Sequence, residues 1–160
     1  MVSSRKRRRM VGVACDAGGV RLSEREIGRI PPGNLRVPRG EFVALWVAAE
    51  ELGSAQAGRG VTDWPLGGVV VTCRWVARAV TENGRGRRSP TRAPVTRRSV
   101  LAIEEELEAE YLASEKLLAR PFPSVLMTGQ PGYVEAVSAT LRWAWRGVGS
   151  APVLVPVAAG

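Results

Sequence analysis

The chain has 160 residues, 45% of them hydrophobic and 24% charged, which suits one domain with an ordinary core and argues against disorder. It carries a net charge of +8 and no histidine, which removes the commonest general base, the usual serine and cysteine dyads and imidazole metal ligands. Two cysteines, Cys15 and Cys73, match no zinc or redox spacing, and Cys73 reads as a small buried hydrophobe in a reducing cytoplasm.

The charge is unevenly spread. Residues 1–40 carry +7 and residues 81–100 carry +5, whereas residues 101–120 carry −4. Arginine outnumbers lysine 21 to 2, and the abundance of Ala, Gly and Val assigns part of that excess to a GC-rich coding sequence. Tracts of this kind attract polyanions through counterion release and long-range steering. No run reaches the roughly 18–20 apolar residues that cross a bilayer, so no membrane insertion is expected.

Residues 1–20 read as a flexible basic tail. Its Arg5-Lys6-Arg7-Arg8-Arg9 cluster followed by Met10–Cys15 imitates a signal peptide, but the apolar part is too short and Asp16 interrupts it. Met10 is a second candidate start, and translation from it would remove the cluster. Ser23-Glu24-Arg25-Glu26 fits a capping box opening a short helix to Arg29 or Ile30. Pro31-Pro32-Gly33-Asn34 stops it where a helix-turn-helix would need a tight turn into a recognition helix, which leaves a docking helix.

Phe42, Leu45, Ala49 and Leu52 predict a helix over 41–52 with Gly53 as its stop, followed by a loop over 53–67 that carries Trp64-Pro65 against the core. Val69 to Val80 reads two ways. Its β-branched start suits a strand, but Val69, Cys73, Val76 and Val80 recur at helical spacing. Residues 81–98 form an Arg-rich linker. Ser99 or Val100 to Ala119 is the longest expected helix, with Val100, Ile103, Leu107, Tyr111, Ser114 and Leu118 on one face and Glu104, Glu105, Glu108 and Glu115 on the other. Pro121 and Pro123 end it. Residues 133–146 give a further helix through Val134, Val137, Leu141 and Trp145, and residues 147–160 an extended C-terminal tail.

A segment repeats along this order. Thr72-Cys73-Arg74-Trp75-Val76 leads to Ala93-Pro94-Val95, and Thr140-Leu141-Arg142-Trp143-Ala144 leads to Ala151-Pro152-Val153. Internal similarity constrains architecture. The expected fold is an all-α protein, a small bundle of about four main helices built as two pseudo-repeated hairpins. These are hairpin one (41–80) and hairpin two (99–146), within a single helical domain over 21–156. The Arg-Trp pairs then read as core tryptophans with rim arginines rather than as base-stacking sites.

For function, the basic tail (Arg5, Lys6, Arg7, Arg8, Arg9) and the linker (Arg85, Arg87, Arg88, Arg92, Arg97, Arg98) point to DNA or RNA. Glu104, Glu105 and Glu108 are the candidate protein-contact face, for a partner or for self-association. Glu104 and Glu108 lie one turn apart as in di-metal bundles, but those sites need a Glu-x-x-His the chain lacks. No phosphate-binding loop, catalytic constellation, metal site or cofactor is expected. The leading expectation is a non-enzymatic cytoplasmic accessory or regulatory protein on nucleic acid. The alternative is a protein–protein assembly module with no nucleic-acid role.

Overall fold

Ser23 opens α1 (Glu24–Gly28) with a full capping box: its hydroxyl oxygen accepts from the Glu26 amide at 3.2 Å, and the Glu26 carboxylate accepts from the Ser23 amide at 2.8 Å. The computed structural model describes residues 15–16 and 19–152; the cluster Arg5–Arg9 and the tail from Val153 onward lie outside them. Within the stretch expected as a tail, β1 (Cys15–Asp16) pairs antiparallel with β2 (Gly19–Val20). After α1, Pro32–Asn34 form a 3-10 turn that buries Asn34, whose amide nitrogen donates to the carbonyls of Val76 and Ala102 at 2.8 and 2.9 Å.

The described residues are mostly helical rather than all-α, with two short antiparallel strand pairs among them beside the helices. α2 (Arg39–Gly58) runs past the expected stop at Gly53. An interior glycine costs only about 1 kcal/mol, a cost of the size that one or two tertiary hydrogen bonds offset. Gln56 is buried on that extension, and its amide donates to Asp63 Oδ2 at 3.0 Å. Asp63 is also the N-cap of α3 (Trp64–Val76), accepting from the Leu66 amide at 2.9 Å, with Pro65 in the first turn. The loop expected over 53–67 therefore shrinks to the short link between Gly58 and Trp64.

Residues 69–80 divide. Helix holds through Val76, and Val80 begins β3 (Val80–Glu82), which pairs with β4 (Arg88–Pro90). The Arg-rich linker 81–98 thus contains a β-hairpin that the Gly-Arg composition concealed. α4 (Glu104–Leu118) starts later than Ser99 or Val100. The strap before it is held extended because the carbonyl of Val100 accepts from Trp75 Nε1 at 2.9 Å and that of Ala102 from Asn34 and Arg78. α5 (Val125–Gly129), N-capped by Ser124, fills part of the proline-rich turn, and α6 (Tyr133–Ala144) follows.

α2 lies antiparallel to α3, joined by Arg74 and Glu50 at one level and by Gln56 and Asp63 near the other end. α3 and α6 run side by side and parallel. A Cβ on Gly68 would meet the Tyr133 carbonyl oxygen at 2.6 Å and the Ala136 Cβ at 3.0 Å, so this crossing requires glycine. α4 lies antiparallel to α6, with Glu108 at the level of Trp145 and Glu115 at that of Ser138 and Arg142. The core between them holds Phe42, Trp46, Trp75, Leu107, Val134 and Leu141, and the Phe42 ring stacks on Trp143 at 6.5 Å. Thr72 and Thr140 are both buried, and each donates to the carbonyl four residues earlier at 2.7 Å.

Candidate nucleic-acid interface

Between residues 82 and 98 the chain carries six arginines and a single acid, Glu82. The structure makes this stretch an arm and a strap. In the arm, Val80 faces Pro90, Thr81 faces Ser89 and Glu82 faces Arg88, and every residue from Glu82 to Pro90 is exposed. Asn83 closes the tip: its side-chain oxygen accepts from the amides of Arg85 and Arg87, both at 3.0 Å, and its carbonyl from Gly86 at 2.9 Å. Gly86 has φ +74, the left-handed region where glycine is unstrained. Arg85, Arg87, Arg88 and Arg92 are exposed and form no ion pair among the described residues.

The root of the arm is fixed to the C-terminus of α3. Arg78 donates its amide to the Trp75 carbonyl and Ala79 to that of Arg74, a Schellman pair with Arg78 itself left-handed at φ 54. Arg78 Nε adds a bond to the Ala102 carbonyl at 3.0 Å. Thr91 then closes the root, its amide and hydroxyl both donating to the Ala79 carbonyl at 3.1 and 3.0 Å.

The strap continues through buried Ala93 and Pro94 into a tight loop, where Arg97 is left-handed at φ 60 and its amide donates to the Ala93 carbonyl. Fully buried Glu110 holds this loop. One carboxylate oxygen accepts from the amides of Val95 and Thr96, the other from the Thr96 hydroxyl at 2.8 Å. Tyr133 donates to the Pro94 carbonyl at 2.7 Å, and the Arg97 guanidinium lies 5.3 Å from its ring centre. Burial pushes the Tyr133 phenol above its ordinary pKa, with Arg97 opposing and Glu110 reinforcing the shift. Arg98 pairs with Glu106.

The three candidate contact glutamates do not form one open face. Glu104 lies 3.6 Å from Arg36, and Glu108 accepts from both Arg146 and Trp145 Nε1 at 3.0 Å. Glu105 is exposed and without an ion pair among the described residues. The Arg-Trp pairs divide as core and rim: Trp75 and Trp143 are buried, Arg74 grips Glu50 through two bonds of 2.6 and 2.7 Å, and Arg142 faces Glu115 at 3.6 Å. The groups most tightly engaged, Glu110, Glu50 and Asn34, went unselected in the sequence. For Glu110 a signal was present, since it continues the apolar spacing from Leu107 to Ser114.

Cys73 is a fully buried free thiol, raised far above its ordinary pKa by burial and, secondarily, by the Glu50 charge. Among the described residues no group of three or more Cys, Asp or Glu is placed to hold a metal, and no helix is long and apolar enough to cross a membrane. Among the described residues the most exposed large apolar side chains are Phe122 and Val125, at 80% and 92% exposure. Comparison with family models, with curated proteins and with solved structures returns no match.

Proposed function

We propose that this is a non-enzymatic accessory or regulatory protein of the cytoplasm that contacts nucleic acid through its arginine arm. The single observation supporting the reading is the arm itself: a ribbon exposed at every residue from Glu82 to Pro90, whose Arg85, Arg87 and Arg88 have no ion-pair partner among the described residues. Cations held in an ordered element lose less freedom on meeting phosphate than cations on a loose chain. Arg92 and Arg97, both exposed and without an ion pair among the described residues, extend the positive surface beyond the arm, whereas Arg98 is paired with Glu106; Arg5–Arg9 would add to it. The test is binding to DNA and RNA across a salt series. Affinity should fall linearly in log–log form with salt, and salt-insensitive binding, or none at low salt, removes the reading.

A second reading, a protein–protein assembly module, is favoured by Phe122 and Val125, which leave an apolar spot beyond α4. One stable partner retained by a chain lacking residues 1–9, and lost on Phe122→Ser with Val125→Ser, would support it. We also read α2–α3 and α4–α6 as two related hairpins. The matched Thr72 and Thr140 bonds and the matched burial of Trp75 and Trp143 support that plan.

A further inference from the structure

We infer that the arm is shaped for the major groove of B-form duplex DNA rather than for a single strand or an RNA duplex, an inference that rests on the nucleic-acid reading above. Single-strand binding draws much of its energy from bases stacked on aromatic side chains. Residues 82–98 contain no aromatic residue. Trp46, Trp75, Trp143 and Trp145 are buried, so none offers a platform. The exposed aromatics lie elsewhere. Trp64 begins α3 and Phe122 follows the C-terminus of α4, whereas the arm leaves the C-terminus of α3 beside the strap that precedes α4. Trp64 is therefore roughly 18 Å from the root of the arm, at 1.5 Å per helical residue.

Dimensions then select the groove. A two-stranded ribbon fits the roughly 12 Å major groove of B-DNA, while the minor groove is only about 6 Å wide. The major groove of A-form RNA is too narrow to admit side chains. From the Val80–Pro90 rung to the tip the arm spans about four residues, or roughly 13 Å at 3.3 Å per residue, against a groove depth of about 8.5 Å. Neither face of the ribbon is covered by the helices over residues 82–90, so it can enter without unpacking. Arg85 and Arg87 in the turn and Arg88 on the first rung put three cations at the leading end, where phosphates line both walls.

The full chain is titrated by fluorescence anisotropy with a labelled DNA duplex, the matching single strand, the matching RNA duplex, and a DNA duplex whose major groove is crowded by glucosylated hydroxymethylcytosine. Duplex DNA should bind at least about tenfold tighter than the single strand or the RNA duplex, and crowding should weaken it at least about fivefold. Replacing Arg85, Arg87 and Arg88 together by Ala, with the fold checked by circular dichroism, should lower the log–log salt slope by about two to three. Equal or tighter binding of the single strand or RNA duplex, or indifference to crowding, overturns the groove inference and leaves the nucleic-acid reading standing. An unchanged slope in the triple variant overturns the arm as the contact. No binding to any of the probes removes the nucleic-acid reading itself.

Discussion

A carboxylate with no exposed surface is held at position 110 by three donors from one loop, Val95 N, Thr96 N and Thr96 Oγ1. Glu110→Ala removes the acceptor of all three bonds, and a hydrogen bond contributes about 0.5–1.5 kcal/mol net. Urea unfolding should show a loss of about 2–3 kcal/mol, with Glu110→Gln retaining part of it; a loss below about 0.5 kcal/mol would show that the loop is held by other groups. Gly68→Ala should cost about 2 kcal/mol or more by the same measurement, because its methyl group would sit 2.6 Å from the Tyr133 carbonyl oxygen. Tyr133 makes stability fall at high pH. Its folded pKa lies above the ordinary value of about 10, so the unfolded chain loses the phenolic proton first. That contribution is complete below pH ~10 and is lost as pH rises toward the folded pKa. Tyr133→Phe should flatten this alkaline limb in melts at successive pH values, and an unchanged limb would assign it to other groups. Cys73, neutral and buried, should resist alkylation at pH 8 in the native state and react once urea unfolds the chain.

At the scale of elements, legibility followed how local the controlling interaction is. The Ser23–Glu26 capping box and the α6 face of Val134, Val137 and Leu141 are written within one or two helical turns, and both stand where spacing put them. The misplaced boundaries depend on distant partners. α2 passes Gly53 because Gln56 reaches Asp63, and α4 starts late because Trp75, Asn34 and Arg78 hold the carbonyls of Val100 and Ala102. The arm was hidden for another reason. Its Asn83-Gly84 pair resembles a two-residue hairpin signal, but the strands flanking it are three residues long, polar and not alternating. Of the candidate site, the cationic residues were legible from composition, whereas their ordering into a ribbon rested on side-chain bonds no periodicity encodes. Asn83→Ala should therefore speed hydrogen exchange of the Arg85 and Arg87 amides while leaving the melting temperature within about 2 °C, since the arm is exposed on both sides. Unchanged exchange would show that Asn83 does not close the tip.

For the whole molecule, charge and packing are segregated. Most acidic side chains of α4 are spent on arginines of the body: Glu104 faces Arg36, Glu106 Arg98, Glu108 Arg146 and Glu115 Arg142. The arm keeps its cations clear of that lattice, which lets a protein with a moderately charged body present one concentrated positive projection. Exposed pairs of this kind contribute about 0–1 kcal/mol each, so their larger effect is to direct the field.

The joint at Arg78 decides what such a projection can do. A left-handed residue there would ordinarily be glycine, which would supply the turn and nothing else. Arginine supplies the turn and then bolts it to the strap through Nε and the Ala102 carbonyl. The root of the arm is thus tied down by a side-chain bond as well as by the backbone turn, at the same α3–strap junction where Asn34 bonds the carbonyls of Val76 and Ala102. On the duplex reading proposed above, a root fastened in this way would favour one orientation of the bound duplex relative to the helical body, so that one side of the body faces the double helix.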